Sequence, residues 1–143
     1  MDVRLDDRTA IITGGSKGLG LAMAMKFVES GAKVVIAARD AGTLADAEAA
    51  INAKVPGAVK AIPTDVTDAA QCKALCDGAV AAFGQVDILV NNAGQSQTGK
   101  FEEITDEIWE ADLALKLMAQ VRMSRLAFPP MKERRWGRII NVL

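Results

Sequence analysis

The 143-residue chain contains no histidine and no tyrosine. Without imidazole, Ser-His-Asp hydrolysis and histidine acid–base chemistry are excluded for these residues. Without a phenol, no step carried by them draws a proton from tyrosine. The two cysteines, Cys72 and Cys76, stand four apart on a predicted helix. A metal pair there would need further ligands, and no histidine or third cysteine is present to complete it. No metal site is expected, and the thiols read as reduced. No apolar run approaches the roughly 20 residues that span a bilayer. The N-terminal MDVRLDDRTA is too polar and acidic for a secretory signal, so a cytoplasmic protein is expected. The net charge of −1 gives no bulk attraction to nucleic acid or to an anionic membrane, and neither is expected as a partner.

What is present is an ordinary globular composition, 50% hydrophobic and 24% charged, at a length that suits one domain. TAIIT at 9–13 is a short β-branched run that stops at Gly14-Gly15. KVVIAA at 33–38, Val59 to Pro63, VDILV at 86–90 and Arg138 to the end read as further strands. Between them lie helical patterns over 18–30, 43–55 and 67–83, and a longer one from Thr105 or Asp106 to Phe128, stopped by Pro129-Pro130. The order is β-α-β-α-β-α-β-α-β. Continuous apolar strands alternating with helices predict an α/β fold: a doubly wound parallel sheet in three α/β/α layers, covering residues 1–143.

The first strand meets the first helix through TGGSKGLG, Thr13 to Gly20. Gly14 permits the tight turn, Gly18 lets backbone approach a phosphate, and Gly20 lets the helix pack close to the strand. Such a helix start presents free N–H groups and a positive dipole end to a pyrophosphate.

TGGSKGLG, TDV at 64–66, NNAG at 91–94 and GRIINV at 137–142 follow the order and spacing of the short-chain dehydrogenase/reductase family, which the chain resembles over its entire length. The resemblance implies a Rossmann-like sheet of strand order 3-2-1-4-5, truncated here after the fifth strand. It implies that Gly14, Gly18 and Gly20 line a pyrophosphate, with Ser16 and Leu19 also among the cofactor-binding residues. Asp65 would accept from the adenine amino group, with Val66 beside the ring. Asn91, Ala93 and Gly94 would border the adenosine ribose and brace the sheet. Read without the family, Asp65 is a turn or capping residue, and Asn91 and Asn92 satisfy a loop.

A Rossmann unit specific for NAD places an acid at the end of its second strand. By the family resemblance that position is Ala38, followed by Arg39, with Asp40 one further on and expected to turn away. Arg39 and Lys17 are two cations suited to a 2′-phosphate, so NADP is expected in preference to NAD. The other reading is a pair of solvated charges.

The chain departs from the family in its long helix. The asparagine expected seven residues after Trp109, whose carbonyl holds a relay water, is Lys116. Lys116 is retained as a relay variant, with a lysine snorkelling along the helix as the alternative. The same helix has two apolar faces, Ile108, Ala111, Leu115, Met118 and Trp109, Leu113, Leu117, Val121. One is expected to cover the sheet, and the other to join a homodimer or homotetramer through 106–128. The family's catalytic serine falls one position beyond Leu143, and its Tyr-x-x-x-Lys further on. The expectation is therefore the cofactor half of a longer enzyme, inactive by itself. The whole would be an NADP(H)-dependent oxidoreductase moving hydride between nicotinamide and a small alcohol or carbonyl substrate. The competing reading is a non-catalytic dinucleotide sensor or scaffold.

Overall fold

The computed structural model describes residues 1–143. Five parallel strands form one sheet in the order β3-β2-β1-β4-β5, with β1 Thr9–Thr13, β2 Lys33–Ala38, β3 Val59–Pro63, β4 Ile88–Asn91 and β5 Arg138–Asn141. Parallel pairing forces each connection across a face of the sheet. Helices α1 Gly18–Glu29 and α2 Ala41–Lys54 cover one face, and α3 Ala69–Phe83 and α5 Ala119–Arg134 the other. This is the expected three-layer architecture.

Strand periodicity divides the core. Ala10, Ile12, Val34, Ile36, Ile88 and Val90 point to one face, where Ala24, Val28, Leu44 and Ile51 meet them. Their alternates Ile11, Val35, Ala37 and Leu89 meet Cys72, Leu75, Ala79, Met123 and Met131 on the other. Both sides of β1 are therefore buried, which is why TAIIT has no polar alternation.

Two expectations for the long helix are corrected. It does not stop at Pro129-Pro130. It runs as α4 Asp106–Leu113, a π-turn Ala114–Met118, and α5 through both prolines to Arg134. Proline fits a helical φ, and its cost is the lost N–H bond. Here the prolines sit on the exposed side. Ala119, Met123, Ala127 and Met131, spaced by four, carry one buried stripe past them into the core. Nor does either apolar face of the first half cover the sheet. Ile108, Trp109, Leu113, Leu117, Met118 and Val121 are all exposed, and Leu115 is half-buried. The covering stripe begins only at Ala119. No helix is long and apolar enough to cross a membrane.

Candidate cofactor-binding site

A cleft of about 1040 Å³ opens over the C-terminal ends of the strands. This is where open α/β sheets receive ligands, at the point where strand order reverses from β1 to β4. The turn after β1 contributes Gly14, Ser16, Lys17 and Leu19, and the end of β2 contributes Ala38, Arg39 and Asp40. Thr64 and Val66 follow β3, while Asn92, Ala93 and Gly94 follow β4. Leu115, on the π-turn, closes one side.

The glycine turn is shaped by contacts that leave no room for side chains. A Cβ on Gly20 would lie 2.0 Å from the Gly14 carbonyl oxygen and 2.7 Å from Asn92 Nδ2. Gly14 adopts φ +68°, with a would-be Cβ 3.0 Å from Asn92 Nδ2, and Gly18 adopts φ +56° facing open space. Helix α1 consequently starts hard against the end of β1, as the spacing predicts. Gly18 and Gly20 are not on the cleft wall. They set the path of the turn that is.

Helix starts differ in how their free N–H groups are met. Asp40 caps α2 by accepting from Thr43 N–H (2.7 Å), Asp68 caps α3 through Ala70 and Gln71 N–H, and Thr105 caps α4 through Ile108 N–H. No side chain caps α1, whose N-cap is Lys17. Its first-turn donors and positive dipole end are left to whatever enters the cleft. The hydrogen bonds from Thr43 hold the Asp40 carboxyl below the usual carboxylate range, with Lys17 nearby adding to the effect. Asp40 is thus committed to α2, and Arg39 and Lys17 supply cations beside Ala38.

Asp65 stands next to the cleft wall instead of in it. Its Oδ1 accepts from Thr67 N–H (2.9 Å) and Thr67 Oγ1 (2.7 Å), which lowers its pKa, and its Oδ2 is left free. It therefore makes the turn that residue chemistry alone predicts. Asn91 is buried beneath the cleft and donates to Asn141 Oδ1 (2.9 Å) and Ser124 Oγ (3.4 Å), joining β4 to β5 and α5. Lys116 sits in the middle of the π-turn, where Ala119 N–H reaches back five residues to Ala114. Its ammonium is exposed and pairs with Asp112 (2.8 Å), away from the cleft lining. Among the cysteines, burial pushes the Cys76 thiol up to about 11, and Cys72 Sγ donates to Val66 O (3.2 Å).

Three side chains hold the site together: Asn92, read from the sequence as a loop-satisfying residue, and Thr13 and Arg122, which sequence reasoning missed. Buried Thr13 Oγ1 accepts from both Asn92 N–H and Ala93 N–H, each at 3.0 Å. Asn92 Nδ2 donates to Gly14 O at 3.2 Å, tying the loop after β4 to the glycine turn. Arg122, on α5, donates to the carbonyls of Val66 and Thr67. The only signal for Thr13 was a hydroxyl ending an apolar strand.

The family model for short chain dehydrogenases matches residues 8–143. D-beta-hydroxybutyrate dehydrogenase of Cupriavidus necator is 36% identical over an alignment that covers 96% of this chain and 53% of that protein. L-sorbose reductase from Gluconobacter frateurii, solved with NADPH and L-sorbose, superposes with a TM-score of 0.91 at 36% identity, covering 97% of this chain and 53% of that one. An NADPH-bound short chain oxidoreductase from Pseudomonas aeruginosa PAO1, with an atypical catalytic center, superposes at 0.88 with 39% identity, covering 92% and 52%. The chain spans about half the length of the curated relatives it matches. With the family model matched from β1 to the last residue, and the strand order and glycine turn in agreement, the chain belongs to the short chain dehydrogenase family.

Proposed function

We propose that this chain holds the dinucleotide of an NADP(H)-dependent oxidoreductase that acts on small alcohols or carbonyls. The observation that carries the proposal is the uncapped start of α1 opening into a cleft whose wall carries Lys17, Ala38 and Arg39. The glycine cradle is shaped for such a group, since a Cβ at Gly14 or Gly20 would meet backbone atoms. Ser16, Gly18, Leu19 and Gly20 would carry the pyrophosphate on N–H groups of the turn and the first turn of α1, with Gly14, whose own N–H donates to Ala37 O, shaping the turn beneath it. Arg39 and Lys17 would clasp the 2′-phosphate, where the absence of an acid at Ala38 removes the usual acceptor for a bare ribose hydroxyl. Asp65 Oδ2 and Val66 would meet the adenine, and Ala93 and Gly94 the ribose, braced from below by Asn91. NADPH-bound relatives of the same fold support this choice.

When bound, the nicotinamide supplies or accepts the hydride. The residues of this chain bind and orient it, and Leu115 shields one side of the cleft. Lys116 would act through the π-turn, which shifts backbone carbonyls out of the ordinary helical pattern, while Asp112 holds its ammonium. The exposed stripe Trp109, Leu113, Leu117 and Val121 would pack against a second copy. The test is turnover by the full-length protein with NADPH over a panel of small aldehydes, ketones and secondary alcohols. NADPH-linked turnover is expected. Tight NADPH binding without turnover on any of them would favour the second reading, a dinucleotide sensor, to which Lys116 at the relay position lends support.

A further inference from the structure

The loop after β3 is held mostly by its own neighbours. Asp65 N–H donates to Gln71 Oε1 (2.8 Å), Thr67 donates twice to Asp65 Oδ1, and Cys72 Sγ donates to Val66 O. One side chain from a distant element joins them. Arg122 Nη1, on α5, donates to Val66 O (3.4 Å) and Thr67 O (3.3 Å).

Val66 C=O and Thr67 N–H belong to one peptide group, which is planar and rigid. Arg122 holds its carbonyl end, and Asp65 Oδ1 holds its N–H end. The plane cannot tilt without moving both. A cation at the carbonyl also polarises the peptide, strengthening the N–H as a donor to the carboxylate. The same Nη1 also donates to the next carbonyl, that of Thr67, so one nitrogen ties two successive peptides of the loop to α5. The consequence falls on the free oxygen of the same carboxylate, Asp65 Oδ2, and on the Val66 side chain, which lines the cleft.

We propose that Arg122 is a positioning residue for recognition of the adenine end of the cofactor, acting through the Val66–Thr67 peptide on the Asp65 carboxylate. The proposal rests on the reading of the cleft as a dinucleotide site. It assigns to α5 a second task besides covering the sheet: it sets the loop against which the adenine docks.

The test compares NADPH with deamino-NADPH, in which hypoxanthine replaces adenine and the amino group that Asp65 would bind is gone. Dissociation constants are measured for the full-length protein and for Arg122→Met, which keeps the stem but no donor. The loss of charge-assisted bonds should weaken NADPH binding roughly fivefold. Deamino-NADPH should weaken by less than about twofold, because its contact with Asp65 is already absent. Arg122→Lys, which keeps one cationic donor, should fall between the two proteins and covers the case in which Arg122→Met folds poorly. Equal weakening of both cofactors, or of neither, would overturn the proposal, since a purely structural arginine cannot distinguish the two bases. A wild-type protein that binds no NADPH would overturn the cleft reading itself, and the proposal with it.

Discussion

Replacing Thr13 by Val changes one hydroxyl to a methyl at nearly constant volume, at a residue only 2% exposed. The hydroxyl oxygen is the acceptor for Asn92 N–H and Ala93 N–H, both at 3.0 Å, and donates a long bond to Val90 O at 3.4 Å. The methyl leaves two amide protons without an acceptor. An unsatisfied buried donor costs about 1–3 kcal/mol. Asn92 and Ala93 are half-buried, so water recovers part of that, and a total of about 2 kcal/mol is expected. With an unfolding entropy of roughly 0.3 kcal/mol/K for a domain of this size, Tm should fall by about 6 °C. The lesion also frees the loop that Asn92 pins to Gly14, so NADPH should bind more weakly than the stability loss alone requires. Thr13→Ser keeps the hydroxyl and should retain cofactor affinity. Calorimetric melting and NADPH titration of both variants provide the assay. A Thr13→Val protein that melts within about 1 °C of wild type would refute the role given to this hydroxyl.

Gly20→Ala should be more severe, at least about 3 kcal/mol, because the new Cβ would lie 2.0 Å from a backbone oxygen that cannot rotate away. Its check is soluble yield and chemical denaturation. Asp65 has a pKa lowered by its bonds from Thr67. Its contribution is therefore present above the ordinary carboxylate pKa and lost as pH falls through the depressed folded value. Melting curves from neutral pH to below about pH 4 should show a smaller acid-side drop in Asp65→Asn than in wild type, and an identical drop would contradict the assignment. Leu117→Glu places a charge in the exposed stripe and should lower the mass of the full-length protein by light scattering. An unchanged mass would remove that stripe as an assembly surface.

The sheet was legible because its signals are local. TAIIT and KVVIAA are bounded by glycine or charge, and burial on both faces erases their polar alternation, while VKAIP, at the sheet edge, keeps an exposed Lys60 and ends on proline. The glycine turn was legible for a similar reason, since each glycine answers a constraint within a few residues. The C-terminal half of the long helix was misread because proline is a strong stop signal only when nothing beyond it is buried. Met131 is buried, and the sequence window around Pro129-Pro130 does not say against what. Thr13 and Arg122 escaped because each acts on backbone 55 or more residues away, and no spacing rule links such positions. Asp65 was legible as a turn former, because the hydrogen bonds that its residue type favours reach only two residues along the chain.

In the proposed cofactor assignment, Lys17 and Arg39, beside Ala38 and with Asp40 drawn off to cap α2, would select a 2′-phosphate. Its most direct test is a calorimetric titration of the full-length protein with NADPH and with NADH at one salt concentration. One charge-assisted contact is worth about 1.5–3 kcal/mol, so NADPH should bind at least roughly tenfold more tightly. Arg39→Asp should reverse the order, since a carboxylate repels the phosphate and accepts from a ribose hydroxyl. Equal affinities in the unaltered protein, or tighter binding of NADH, would contradict the account.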